Sequence, residues 1–185
     1  EVTDGVAVLT LNDPKVMNAA GASLLDNVLA AFDHIEDPAH GVRCVVITGA
    51  GEAFCAGANL KERAQGAAMP VGMVLISHWH PLLRRMRHLH CPIIAAVNGG
   101  AAGGGMSLAL ACDLVIAARS AYFLQAFRRI ALAPDVGSTW LLPRRISLAR
   151  AAELSLMGEK LSAEKALAWG LINRVVEDGA ARGEA

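Results

Sequence analysis

Gly103, Gly104 and Gly105 stand side by side inside an uncharged stretch from Cys91 to Cys112, CPIIAAVNGGAAGGGMSLALAC. Adjacent glycines suit a place where backbone must approach another group closely. Ahead of them Ile93 to Val97 reads as a fully buried strand and Asn98-Gly99-Gly100 as a turn. Behind them Met106 to Ala111 reads as the start of an apolar helix. Strand, glycine turn and helix N-terminus in that order present free backbone N–H groups to an anion or a polarised carbonyl. The same glycines also fit a tight helix–sheet contact in which they serve packing alone. A membrane span is a poor reading, because Pro92, Asn98 and the glycines interrupt the roughly 18 apolar residues that one needs. A phosphate-binding P-loop fails as well, since Met106-Ser107 follows the last glycine where a lysine is required. Cys44 to Gly51 imitates the strand and first glycines of a dinucleotide fold, but Phe54 stands where the third glycine belongs.

Other residues could also do chemistry. Asp135, in Ala133-Pro134-Asp135-Val136-Gly137, reads from its own surroundings as a turn residue or helix N-cap. His80 and His88 can share a helix face, and with His78 and His90 they read as helix caps or surface residues. No carboxylate or cysteine at ligand spacing supports a metal site, so none is expected. Cys44, Cys55, Cys91 and Cys112 show no CxxC spacing and sit in or beside apolar runs, which favours buried reduced thiols and a cytoplasmic location. No signal peptide or basic leader is visible, although the chain starts at Glu1. Lys plus Arg equals Asp plus Glu at 17 each. That balance marks no nucleic-acid groove and no membrane-binding patch, so no nucleic acid and no membrane is expected as a partner.

These residues need elements to position them. The 185 residues are 54% hydrophobic and 4% aromatic, enough for one domain with a core of Ala, Leu, Val and Ile. Val6 to Leu11 alternates as a strand, and Ser23 to Ile35 has helical spacing at Leu24, Val28, Ala31, Phe32 and Ile35 with Ser23 as N-cap. Cys44 to Thr48 is a buried strand, a short helix runs through Leu60 and Arg63, and Val71 to Leu89 forms a longer helix. Leu114 to Ala117 and Ala121 to Phe123 read as short strands. Helices follow near Ser147 to Met157 and, capped by Ser162, over Ala163 to Trp169. Trp140 and Trp169 read as core anchors. Alternating strands and helices make the class α/β. The tail, Glu177 to Ala185, is polar with no face to bury, and is expected to fray or to be the stump of a longer chain.

GAGEAFCAGANLKE (Gly49 to Glu62), AAVNGGAAGGGMSLALACDLVIAARSAYF (Ala95 to Phe123) and GEKLSAEKALAWGLINRVV (Gly158 to Val176) together resemble the enoyl-CoA hydratase/isomerase, or crotonase, superfamily. LNDPKVMNA near Leu11 to Ala19 matches more loosely. The resemblance covers nearly the whole chain. It implies a crotonase-like spiral of ββα units, an acyl-CoA-binding core over residues 1–176, and a homotrimer or homohexamer. It also implies a C-terminal helical region that the chain mostly lacks. No cofactor is implied beyond the coenzyme A of the substrate.

By motif match the donors to a thioester oxyanion are Ala58 and Gly104, while Ala56, Gly57, Asn59 and Leu60 line the CoA path. The family's AGAD is Ala56-Gly57-Ala58-Asn59 here. Hydratases of this family use two glutamates, and those positions hold Ser107 and Phe127, neither of which can act as a base. Asp135 instead resembles the proton-shuttling acid of enoyl-CoA isomerases, and Ala126 to Arg144 resembles a ring-opening isomerase branch. An apolar pocket bearing Phe127 would raise its pKa. The implied activity is therefore isomerisation of a double bond or a related CoA thioester. The alternatives are hydration by non-standard residues, aryl-CoA dehalogenation with Trp79-His80 near the assisting histidine, and a non-catalytic CoA-binding subunit. Arg128-Arg129 and Arg144-Arg145 would meet CoA phosphates or sit on a solvated face. The acyl group is expected to be selected by the segment from Gln65 to Gly72 and the missing C-terminal region.

Overall fold

The computed structural model describes residues 1–64 and 69–185. Residues 65–68 of the segment expected to select the acyl group therefore lie outside the described residues. The chain runs β1 (Val2–Thr3), β2 (Val6–Leu11), α1 (Ala22–Glu36), β3 (Cys44–Gly49), β4 (Ala53–Cys55), α2 (Leu60–Ala64) and α3 (Val71–Val74). A π-helical turn over Leu75–Trp79 leads into α4 (His80–His88), β5 (Ile93–Val97), β6 (Gly100–Ala102), α5 (Gly104–Ala111), β7 (Leu114–Ala118) and β8 (Tyr122–Leu124). A 3-10 turn over Ala126–Ile130 precedes α6 (Ser138–Arg145), α7 (Leu148–Met157), β9 (Lys160–Ser162), α8 (Ala163–Ala168), β10 (Arg174–Val176) and α9 (Ala181–Glu184).

Two sheets result, in the mixed α/β arrangement. The larger has the order β1-β2-β3-β5-β7-β10, parallel throughout except for β1 against β2. The smaller has the order β4-β6-β8-β9, with β8 and β9 antiparallel. A parallel strand is covered on both faces, so its sequence is continuously apolar, as CVVIT and IIAAV are. Val45, Ile47, Ala95, Val97, Val115 and Ala117 point into the main core with Phe32 and Leu82. Val46 and Ala96 point the other way, against Ala181 of α9.

Four local expectations shift. Gly21, not Ser23, is the N-cap of α1. The helix buries Leu25, Val28, Phe32 and Ile35, a stripe that starts one residue after the expected Leu24. Gly100 belongs to β6 rather than to the turn, because short side chains let that strand lie under the Tyr122 ring. The tail is ordered into structure. Ala181 is buried on the outer face of the large sheet, and Arg119–Glu177, Arg174–Glu184 and Arg182–Glu1 pairs bind it down.

The helix expected over Val71 to Leu89 is present as α3, the π turn and α4 in succession. Ser147 and Ser162 cap α7 and α8 by accepting from the Arg150 and Lys165 amides. No helix among the described residues is long and apolar enough to cross a membrane.

Candidate active site

An apolar cleft of about 790 Å³ opens between the loop after β4, the π turn, the N-terminus of α5 and the segment before α6. Its first wall is built from below. Asn18 is fully buried with a left-handed backbone, which asparagine tolerates. Its amide donates to the Ala50 and Ala53 carbonyls at 2.9 and 2.8 Å, and its oxygen accepts from the Asp13 amide. Ala56 N then donates to the Met17 carbonyl, and Ala20 N to the Gly57 carbonyl at 2.6 Å. Ala56, Ala58, Asn59 and Leu60 line the cleft on this support, with Gly57 beneath them.

Gly57 has φ +85°, and a Cβ there would sit 2.7 Å from the Ala102 carbonyl and 3.2 Å from Gly104 N. Only glycine brings this loop so close to the start of α5. At the next helical position, a Cβ on Gly105 would fall 2.2 Å from the Cys55 carbonyl. The glycine run thus gives tight helix–sheet packing and at the same time brings Gly103 and Gly104 to the cleft wall. Among the described residues, neither the Ala58 nor the Gly104 amide donates to another group, and both residues line the cleft. Two unpaired amides at one wall are what a carbonyl oxygen gaining charge would accept from.

Asp135 faces the same cleft. Its side chain caps no helix, since Gly137 is the N-cap of α6, so the cap reading is set aside. Instead the Asp135 carbonyl accepts from the Ser138 amide at 3.0 Å, closing a turn whose central residues Val136 and Gly137 have φ +48° and +78°. That is the type I′ pattern, and valine there costs roughly 1–3 kcal/mol of backbone strain. Val136 recovers contact by packing its side chain on Gly104, where a Cβ would lie 3.5 Å from its Cγ2. Trp79 closes the other side, 3.2 Å from the same point. Burial pushes the Asp135 carboxyl above the usual range, against a smaller opposing pull from its own amide and from His80. His80 itself is exposed and does not line the cleft.

Phe127 is 6% exposed and lines the cleft, its ring 3.9 Å from where a Cβ on Gly103 would be. Ser107 is wholly buried beneath the wall, its hydroxyl oxygen 3.2 Å from the Gly103 carbonyl and 2.9 Å from Ser138 Oγ. A second carboxylate was not singled out from sequence: Glu62 of α2 also borders the cleft, lying over Gly21 beside Asn59. It stands at the Gly21 end, whereas Asp135 stands at the Gly104 end.

Several expectations are corrected. Trp140 is 51% exposed and carries Arg144 over its ring at 3.9 Å, so it anchors no core. Trp169, by contrast, does pack against the main core, half-buried with Arg150 and Lys165 over its ring. The arginines mostly close helix ends. Arg128 donates to the Leu156 and Met157 carbonyls, Arg129 to Gly158 while also lining the cleft, and Arg145 to Leu110 and Cys112. His78 is buried rather than on the surface, bridging Ser77 and Asp26. Cys55 and Cys112 are buried free thiols, with burial pushing Cys55 up to about 11, while Cys44 and Cys91 are half-buried. Ser138 and Trp79 gain their meaning only from tertiary contact. Each follows a legible signal, a turn and an apolar helix, that gives no hint of a cleft.

The chain matches the family model described as enoyl-CoA hydratase/isomerase over residues 1–184. It is 46% identical over 178 residues to a probable enoyl-CoA hydratase of Rhodobacter capsulatus, covering 96% of this chain and 68% of that one. It is likewise 46% identical over 180 residues to the 1,2-epoxyphenylacetyl-CoA isomerase of Escherichia coli K12, with the same coverage. Among solved structures, an enoyl-CoA hydratase/isomerase from Mycobacterium abscessus superposes with a TM-score of 0.92 at 33% identity, covering all of this chain and 72% of that one. The chain thus spans about two thirds of the length of the relatives it matches.

Proposed function

The chain belongs to the enoyl-CoA hydratase/isomerase family, and from that premise we propose that it isomerises an acyl-CoA thioester by moving a proton with Asp135. The thioester carbonyl accepts from the Ala58 and Gly104 amides, so that the charge of an enolate rests in an oxyanion hole. Each donor lowers the barrier by roughly 3 kcal/mol. For a β,γ-unsaturated acyl group, Asp135 takes a proton from C2, the C2–H pair forms a C1=C2 bond and the carbonyl pair moves onto oxygen. On return the oxygen pair re-forms the carbonyl, the C1=C2 pair becomes C2=C3, and the former C3=C4 pair takes the proton at C4. The product is the conjugated thioester, and the carboxylate is regenerated. Ala56, Gly57, Asn59 and Leu60 form the path for coenzyme A, and Phe127 keeps water from the reacting carbons.

The observation that carries this reading is the placement of two amides that have no partner among the described residues on the cleft that a half-buried carboxylate also lines, with Val136 beside that carboxylate packed on Gly104. Hydration is less supported, because Ser107 is turned into the protein and Phe127 offers no proton. Dehalogenation is less supported too, because His80 is exposed outside the cleft wall. The same reading includes a homotrimer or homohexamer in a reducing, cytoplasmic setting.

Conversion of 3-hexenoyl-CoA to its conjugated isomer tests the assignment. Asp135→Asn should lower turnover by about 10²–10⁴ while coenzyme A affinity stays within a few-fold. Crotonyl-CoA hydration by the parent should be weaker than by a two-glutamate hydratase by a similar factor. Undiminished isomerisation in Asp135→Asn refutes the role of Asp135, and strong hydration returns the reaction to the hydratase class.

A further inference from the structure

Resting on Asp135 as the group that moves the proton, we propose that Ser107 and Ser138 are positioning residues whose buried hydroxyls lock the Asp135 turn onto the helix end that carries Gly104. Both are 0% exposed. Ser138 Oγ donates to the Asp135 carbonyl, which spends its only proton. At the shorter, 2.9 Å contact Ser107 then donates and Ser138 accepts, the Ser107 proton being drawn there in preference to the Gly103 carbonyl at 3.2 Å. The hydroxyls form a one-way chain from Ser107 through Ser138 to the Asp135 carbonyl.

That chain joins the two halves of the proposed chemistry. Ser107 lies three residues after Gly104, on the same turn of α5, so its hydroxyl is fixed to the helix that holds one oxyanion donor. The Gly103 carbonyl does not depend on the hydroxyl, because the Ser107 amide already donates to it at 3.1 Å. What the hydroxyl adds is direction at the acid's turn. Val136 favours leaving its left-handed conformation, and a turn so strained keeps its shape only when its surroundings over-determine it. Apolar residues at 107 and 138 would fill the same space but would not orient the Asp135 carbonyl. With the carbonyl pinned inward toward α5, the carboxylate is left facing the cleft beside Gly104.

The test is steady-state kinetics of 3-hexenoyl-CoA isomerisation. Ser107→Ala and Ser138→Ala should each lower kcat by roughly 10–100-fold, with KM unchanged within about three-fold, as expected when geometry rather than binding is lost. The acid limb of the rate profile should move to lower pH, because a loosened turn admits water to the carboxylate. Ser107→Thr, which keeps the hydroxyl, should retain more rate than Ser107→Cys, which keeps the volume but donates weakly. In an Asp135→Asn background neither alanine change should lower the residual rate further.

Unchanged kcat in Ser138→Ala overturns the proposal, and that variant decides alone if Ser107→Ala does not fold. An equal loss with and without Asp135 also overturns it, since the serines would then act on the fold and not on the acid. Full activity in Asp135→Asn by itself is a different result: it removes the functional assignment, and this proposal with it.

Discussion

Asp135 is a carboxylate held where water would rather be, and the stability of the protein should register that. Burial raises its folded pKa above the unfolded value, so the native state binds its proton more tightly than the unfolded chain does. The sign follows directly. Its contribution to stability is fully present below the unfolded pKa and is lost as pH rises through the raised folded pKa. Asp135→Asn should therefore melt at a higher temperature than the parent at neutral pH, with the difference shrinking toward about pH 4, near the ordinary carboxylate range. Calorimetry at several pH values checks this, and a parent more stable than the variant at neutral pH would contradict the burial. At this scale the sequence was partly legible. The Ala58, Gly104 and Asp135 positions follow from motif resemblance, and all line the cleft. Glu62 and Ser138 did not follow, because a carboxylate on a short helix and a serine after a turn acquire a role only when distant segments meet.

Elements here are held together by contacts that leave no room for a methyl group. Gly105→Ala would drive a Cβ to 2.2 Å from the Cys55 carbonyl, a backbone atom that cannot swing aside. The change should destabilise by about 1–3 kcal/mol, and turnover should fall as well, since β4 and α5 carry the two amides apart. Gly72→Ala on α3 meets nothing within 4 Å and should stabilise by about 0.5–1 kcal/mol. Urea unfolding of both variants makes the comparison. If both changed stability alike, helix propensity and not close approach would govern the glycines. Strands β2, β3, β5 and β7 were readable because a continuous or alternating apolar run has few other solutions. Strand β6 was not, since Gly-Ala-Ala has no side chains from which to read a period. Trp140 misled because its bulk suggested burial, whereas its ring is held by Arg144 at the surface.

The whole molecule presents apolar side chains that nothing among the described residues covers. Leu148 is 74% and Leu156 70% exposed on α7, with Trp140 and Met157 nearby in sequence at 51% and 53%. Such a patch is where the proposed trimer would find a neighbour. Light scattering of the full-length protein should give three or six times the monomer mass, and Leu156→Glu should lower that mass if α7 forms the contact. A stable monomer would end the assembly proposal. The overall α/β class was legible from the alternation of elements, and the anchored tail was not, because its hold on the sheet is one alanine and a set of ion pairs. The pairing of Arg182 with Glu1 at 2.9 Å straps α9 across the outer face of the large sheet, where Ala181 packs on Val46 and Ala96. The strap is ionic and exposed, so dissolved salt screens it, whereas the cleft is walled by apolar side chains that salt leaves in place. Raised ionic strength should therefore loosen α9 from the sheet and leave the cleft as it is.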